Sequence, residues 1–189
     1  MDDGRPASGA APGLTLVLLR HAEAAAAVPA RPGSGPDADL ARPLTPRGRA
    51  QARATGEWLL ASGAGAVDLV LVSPAQRTAQ TWAELAEVLH PGTVREEPAL
   101  YEAPALGLVH LLAALPQEVG SVLVVAHEPA VSAAAVALAG PGSVGAALAR
   151  VRAGAAPASA SVLAHPGPWA SLAGGSCVLR SHVVPPEGS

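Results

Sequence analysis

Two arginines and two histidines stand directly after apolar runs in this chain. "LVLL" runs into Arg20 and His21, "VLVVA" into His127, and "LVLVS" leads through Ser73 and Pro74 to Arg77. A guanidinium pairs parallel N–H donors with the oxygens of a phosphate or carboxylate. A neutral imidazole is a nucleophile that can carry a covalent intermediate. Taken singly, a histidine at a strand end is more often structural or solvated, and an arginine in a first helical turn more often faces water. Four such residues at three equivalent places point instead to one anion site, with a phosphoryl group as the anion that two arginines would prepare for attack.

The elements that must position them are readable from pattern. "LTLVLL" (14–19), "VDLVLVS" (67–73) and "SVLVVAH" (121–127) are continuous apolar runs of strand length, as expected of strands buried on both faces. Each precedes helix signals. Thr45 is an N-cap and Pro46 a first-turn residue for a helix carrying Gln51, Thr55, Trp58 and Leu59 on one face and ended by Gly63. Ser73 and Pro74 are expected to open a second helix to about Leu89. Pro104 to Leu115 reads as a further helix, and another runs from Pro129 to Ala139. "TVREEPALYEA" reads as a short edge strand and loop, and "ASVLAH" and "SCVLRSHVV" as two late strands joined by "GPWASLAGG". The predicted fold is a three-layer α/β/α sandwich with a mostly parallel central sheet, whose ligands collect at the carboxyl ends of the strands.

Residues 1–13 read as a disordered tail, 14–184 as a single domain and 185–189 as a C-terminal tail. The Ala-, Pro- and Gly-rich stretch 24–43 is a loop of a length that is either functional or disordered. With 189 residues, half of them apolar and 14% charged, the chain is globular in composition. It lacks phenylalanine and lysine, so Leu, Val and Ala build the core and arginine supplies every basic side chain. A net charge of -3 gives no reason to expect nucleic acid or an anionic membrane as partner. The lone Cys177 excludes an internal disulfide and fits a reducing compartment, so the expected setting is cytoplasmic, with a monomer as the default state. No cluster has metal-ligand spacing, and an arginine-lined pocket needs no metal or other cofactor to neutralise phosphate.

"LVLLRHAEA", "RPLTPRGRAQA", "VLVSPAQRTAQT" and "VLVVAHEPA" resemble, in order and spacing, the histidine phosphatase superfamily, also called phosphoglycerate-mutase-like. "RHAEA", "RPLT" and "LYEA" are most similar to its SixA-type phosphohistidine phosphatases. The resemblance implies a compact phosphoglycerate-mutase-like fold without a large cap insertion. It also implies His21 as the nucleophile that becomes phosphorylated, and Arg20, Arg77 and His127 as the phosphate pocket. Where the motif usually has glycine this chain has Ala22, still small enough for close backbone packing.

Glu102 is the nearest match to the glutamate that protonates the leaving oxygen in many members, with an exposed loop residue as the plain alternative. Arg42, where the long loop returns to the core, is a candidate for the pocket mouth, against a solvent-facing arginine. Glu57, Trp58 and Trp169 read as structural, and His90, His110, His165 and His182 as incidental. Three functions are in play: a metal-independent protein phosphohistidine phosphatase, a small-molecule phosphomonoesterase, and a catalytically silent phosphate-binding module. Imidazole, with a conjugate-acid pKa of about 6.5, leaves more readily than an alkoxide, so a site that works without a strong acid suits the first.

Overall fold

The computed structural model describes residues 13–26 and 37–185. Residues 1–12 and 186–189 of the expected tails and the middle of the long loop, 27–36, lie outside the described residues. Six strands, β1 (Leu14–Arg20), β2 (Leu69–Val72), β3 (Thr93–Glu96), β4 (Ser121–Ala126), β5 (Ala160–His165) and β6 (Val178–Val183), form one sheet in the order β3-β2-β4-β1-β5-β6. The first four pair in parallel, while β5 runs antiparallel to both β1 and β6. The mostly parallel sheet of the sequence reading is therefore the observed one.

Alternation along β1 explains the three layers. Leu16 and Leu18 face a core shared with Leu108, Leu112, Val131, Leu138, Val151 and Trp169, from α4 (Ala105–Ala113), α5 (Ala130–Leu138), α6 (Gly145–Arg152) and a 3-10 turn. Val17 and Leu19 face the other core, with Leu59 of α2 (Pro46–Ala61) and Leu85 of α3 (Gln76–Ala86). Each fully buried side chain of this kind contributes roughly 1.5–3 kcal/mol, so both faces of β1 hold its end in place. A last helical turn, α1 (Asp37–Leu40), breaks the long loop just before it rejoins the core. Between β2 and β4 the chain contains only α3, β3, a 3-10 turn and α4, without an inserted cap.

Thr45 caps α2 as expected, its side chain accepting the Gly48 N–H at 3.0 Å with Pro46 in the first turn. Three readings need correction. Ser73 does not cap α3: the helix begins at Gln76 behind Ala75, and the Ser73 hydroxyl is engaged by a histidine. The stretch before β5 holds a helix, α6, that pattern did not announce, because only Ala147 and Val151 of its eight residues are buried. His165 and His182 are not incidental but buried, bonded to Ser171 and Ser161 respectively.

Candidate active site

β1, β2 and β4 end side by side, and their ends bring the predicted residues together. Arg20 closes β1, and the His21 N–H continues the pairing by donating to Ala126 O of β4 at 2.9 Å. The His21 carbonyl accepts the Ala158 N–H at 3.1 Å. Ala158 adopts a φ of 58°, a left-handed conformation rare outside glycine, and Thr55 secures it by donating its hydroxyl to the Ala158 carbonyl at 2.8 Å.

The motif glutamine and threonine side chains have the same task. Thr81 Oγ1 accepts the Ala22 N–H at 3.0 Å, and Gln51 Oε1 accepts the Glu23 N–H at 3.1 Å. Gln80 Oε1 accepts the Leu44 N–H at 2.7 Å. Arg77, Gln80 and Thr81 lie three and four residues apart, on one face of α3, so a single face delivers a charge and two supports. Gly48 completes the fit: a Cβ there would collide with the Glu23 carbonyl oxygen, so only glycine lets α2 dock against the segment after His21.

The rings of His21 and His127 lie 5.3 Å apart, centroid to centroid. His21 Nδ1 is 2.8 Å from Ala22 O. A carbonyl only accepts, so Nδ1 carries the proton and Nε2 holds the free lone pair. Burial pushes the His21 pKa down to about 4; the Ala22 hydrogen bond opposes this, and the charges of Arg77, Arg20 and Arg42 add to it. His127 is driven lower, to about 3, by burial first and then by Arg77 and His21. Both imidazoles are thus neutral near pH 7. His127 Nε2 meets Ser73 Oγ at 2.7 Å, and Tyr101 stands edge-on to its ring at 5.6 Å.

Arg20 donates through Nη1 to Ala155 O at 2.7 Å, and Glu128 fixes that residue by accepting the Ala155 N–H at 2.6 Å. Burial lowers the Arg20 pKa while Glu128 opposes the shift. Arg77 donates to Asp39 twice, to its backbone oxygen at 2.7 Å and to Oδ2 at 2.9 Å. Oδ2 also accepts the Tyr101 hydroxyl at 2.7 Å, and Oδ1 accepts Arg42 Nη1 at 2.9 Å. Arg42 is therefore held beside the cluster, with its Nε on Ala25 O. Burial works to raise the Asp39 pKa, but Tyr101, Arg42 and Arg77 together hold it down at about 2. Among the described residues, buried Arg20 Nε, Arg77 Nε and His127 Nδ1 have no hydrogen-bond partner.

Glu102 is exposed and forms no hydrogen bond among the described residues. The structure brings its neighbour Tyr101 into the cluster instead. Asp39, Ser73, Tyr101 and Glu128 were not singled out as site residues by sequence reasoning. Ser73 and Glu128 carried a usable signal, since each sits at the end of an apolar strand; Asp39 carried none. Among the described residues no group of His, Cys, Asp or Glu could hold a metal ion, and no helix is long and apolar enough to cross a membrane.

Comparison with known proteins follows the same lines. The model of the histidine phosphatase superfamily (branch 1) matches residues 16–105. An uncharacterized protein of Mycobacterium tuberculosis is 39% identical over 99 residues, which are 52% of this chain and 60% of that relative, so the match spans under two thirds of its length. The structure of a candidate phosphohistidine phosphatase SixA from Nakamurella multipartitia superposes with a TM-score of 0.76 at 34% identity, covering 94% of this chain and 99% of the other. A protein histidine phosphatase SixA complexed with tungstate gives 0.68 at 26% identity, covering 91% and 97%. The chain belongs to the histidine phosphatase superfamily, on its SixA-type branch.

Proposed function

We propose that this protein is a metal-independent phosphatase that works through phospho-His21, and that its substrate is a phosphohistidine carried on another protein. The observation that carries the reading is the state of His21: neutral, with Nδ1–H spent on Ala22 O and the Nε2 lone pair free, among three guanidinium groups.

In the first step Nε2 attacks phosphorus, the N–P bond to His21 forms and the bond to the leaving group breaks. Arg20 and Arg77 hold the phosphoryl oxygens, using N–H groups that no acceptor among the described residues occupies. With Ser73 Oγ–H donating to His127 Nε2, the His127 Nδ1–H becomes one more donor for those oxygens. In the second step water attacks phospho-His21, and phosphate departs with the imidazole restored. A phosphohistidine whose ring is protonated at its distal nitrogen leaves as neutral imidazole and needs no further acid. An alkyl phosphate needs a proton, for which Glu102 is the proposed donor. Its exposed position, free of the site's hydrogen bonds, favours the phosphohistidine substrate.

The uncapped connection between β2 and β4 supports a protein substrate, since a residue projecting from another surface must reach the strand ends. A small phosphorylated metabolite is the second reading, supported by the same pocket chemistry. A cytoplasmic setting belongs to the proposal and rests on the single, buried Cys177.

Brief incubation with phosphoramidate tests it. The expected result is an acid-labile phosphoryl group on the wild type and none on His21→Ala, with turnover of a phosphohistidine protein exceeding that of a panel of small phosphates. A wild-type protein that forms no phosphoenzyme and turns over neither class would instead be a phosphate-binding module.

A further inference from the structure

An acid in the middle of a phosphate-binding cluster is the least expected feature of this molecule. Asp39 places its carboxylate on Arg77 and Arg42 and beneath the Tyr101 hydroxyl, with hydrogen bonds of 2.7 to 2.9 Å. Its side chain is 41% exposed while that of Arg77 is 7% exposed, so Asp39 sits at the outer side of the clamp, where the non-phosphoryl part of a substrate would lie. Three donors occupy its two oxygens, which offer about four lone-pair sites, so one acceptor position is left.

We propose that Asp39 is a specificity-determining residue that selects substrates whose leaving group is cationic, the protonated phosphoimidazole above all, and rejects phosphates bearing a second acid. The inference rests on the functional reading above. Arg20, Arg42 and Arg77 all act on His21 electrostatically, and both histidines are neutral. Three guanidinium charges less the carboxylates of Asp39 and of Glu128, which acts on Arg20, leave one positive charge. A phosphoryl group brings about 1.5 to 2 negative charges near pH 7, which already use up that positive charge. A second carboxylate or phosphate on the substrate meets Asp39 itself. A protonated imidazole ring finds the opposite: its N–H can donate to the remaining acceptor position, which favours the ring form that departs as neutral imidazole. Asp39 stays ionised throughout the working pH range because its three donors outweigh the effect of burial.

Asp39→Asn removes the charge while keeping the shape, at a half-exposed position whose backbone oxygen still binds Arg77. The test compares kcat/KM of wild type and variant on a phosphohistidine protein, on p-nitrophenyl phosphate and on 3-phosphoglycerate, together with the pH profile of the first. The expected result is a fall of about tenfold for phosphohistidine and a rise of about tenfold for 3-phosphoglycerate, each measured relative to p-nitrophenyl phosphate, as for one unit charge at a partly screened site. The wild-type preference for the protonated ring should flatten in the variant's pH profile. Equal losses on all three substrates would overturn the proposal and leave Asp39 as a support for Arg77. Equal gains would also overturn it, making the carboxylate a plug that competes with phosphate. Failure of the functional reading is separately visible: His21→Ala would then retain turnover, whatever Asp39→Asn does.

Discussion

Arg20 and His21 stand on a strand buried from both sides, with the backbone N–H of Arg20 bonded to Ser159 O and that of His21 to Ala126 O. Asp39, Arg42 and Tyr101 come from a helical turn, a loop return and the end of a 3-10 turn, and are held mainly by one another. The floor is thus fixed by the sheet. The rim is fixed by its own charges. Floor residues suit bond making, which tolerates little displacement, and rim residues suit discrimination between substrates.

The sharpest way to break this division is to remove one arginine from each side. Arg20→Ala should lower kcat/KM by roughly 10²–10³, the usual loss when a preorganised donor to developing charge is deleted. Arg42→Ala should cost only a few-fold, as for a half-exposed ion pair. Steady-state kinetics on one phosphohistidine protein measures both, and similar losses would mean that rim and floor do the same work. A smaller effect tests whether the floor depends on a residue that does not touch substrate. Glu128 makes its hydrogen-bonded link to Arg20 through Ala155, beside its direct charge on the guanidinium, so Glu128→Ala should lower kcat/KM by about tenfold, mainly through misplacement of that group. Glu128→Gln keeps an oxygen for the Ala155 N–H and should recover most of that loss. Phosphoenzyme formation on His21 should persist in both variants, and its disappearance would place Glu128 closer to the chemistry than its hydrogen bonds do.

The same division decides how much was legible in the sequence. A strand buried on both faces announces itself as an unbroken apolar run, and the residue that follows it must emerge at the sheet's edge. Arg20, His21 and His127 could therefore be located without coordinates, and Arg77 one helical turn further on. The rim depends on how a loop folds back, and neither periodicity nor capping reports that. Asp39 lies in a stretch of Ala, Pro, Gly and Asp with no pattern to mark it, so its place on Arg77 appeared only in three dimensions. Arg42 was accessible because it directly precedes the α2 start signals. Ser73 was misread for a physical reason: its position before a proline suits a helix cap, but the hydroxyl is a better partner for a buried imidazole than for an amide that water can reach.

The smallest expected effect concerns the neutral state of the floor histidines and is read from stability, which avoids the titration of the substrate. The folded-state pKa values of His21 and His127, about 4 and about 3, lie below the value of about 6.5 for an unfolded chain. Between these limits the unfolded chain binds protons that the folded chain refuses. Stability should therefore rise with pH across this window and be lost as pH falls from about 6.5 towards 4. Carboxylates add their own dependence below about pH 5, so the informative quantity is the difference between wild type and His127→Gln in urea unfolding from pH 4 to pH 7. The variant should show the shallower slope, by less than about 1.4 kcal/mol per pH unit, the limit for a single proton. Parallel slopes would mean that His127 takes up its proton in the folded state as readily as in the unfolded chain. The floor would then owe its rigidity to the sheet alone, and the buried neutral imidazole beside Arg77 would not be part of what sets it apart from the rim.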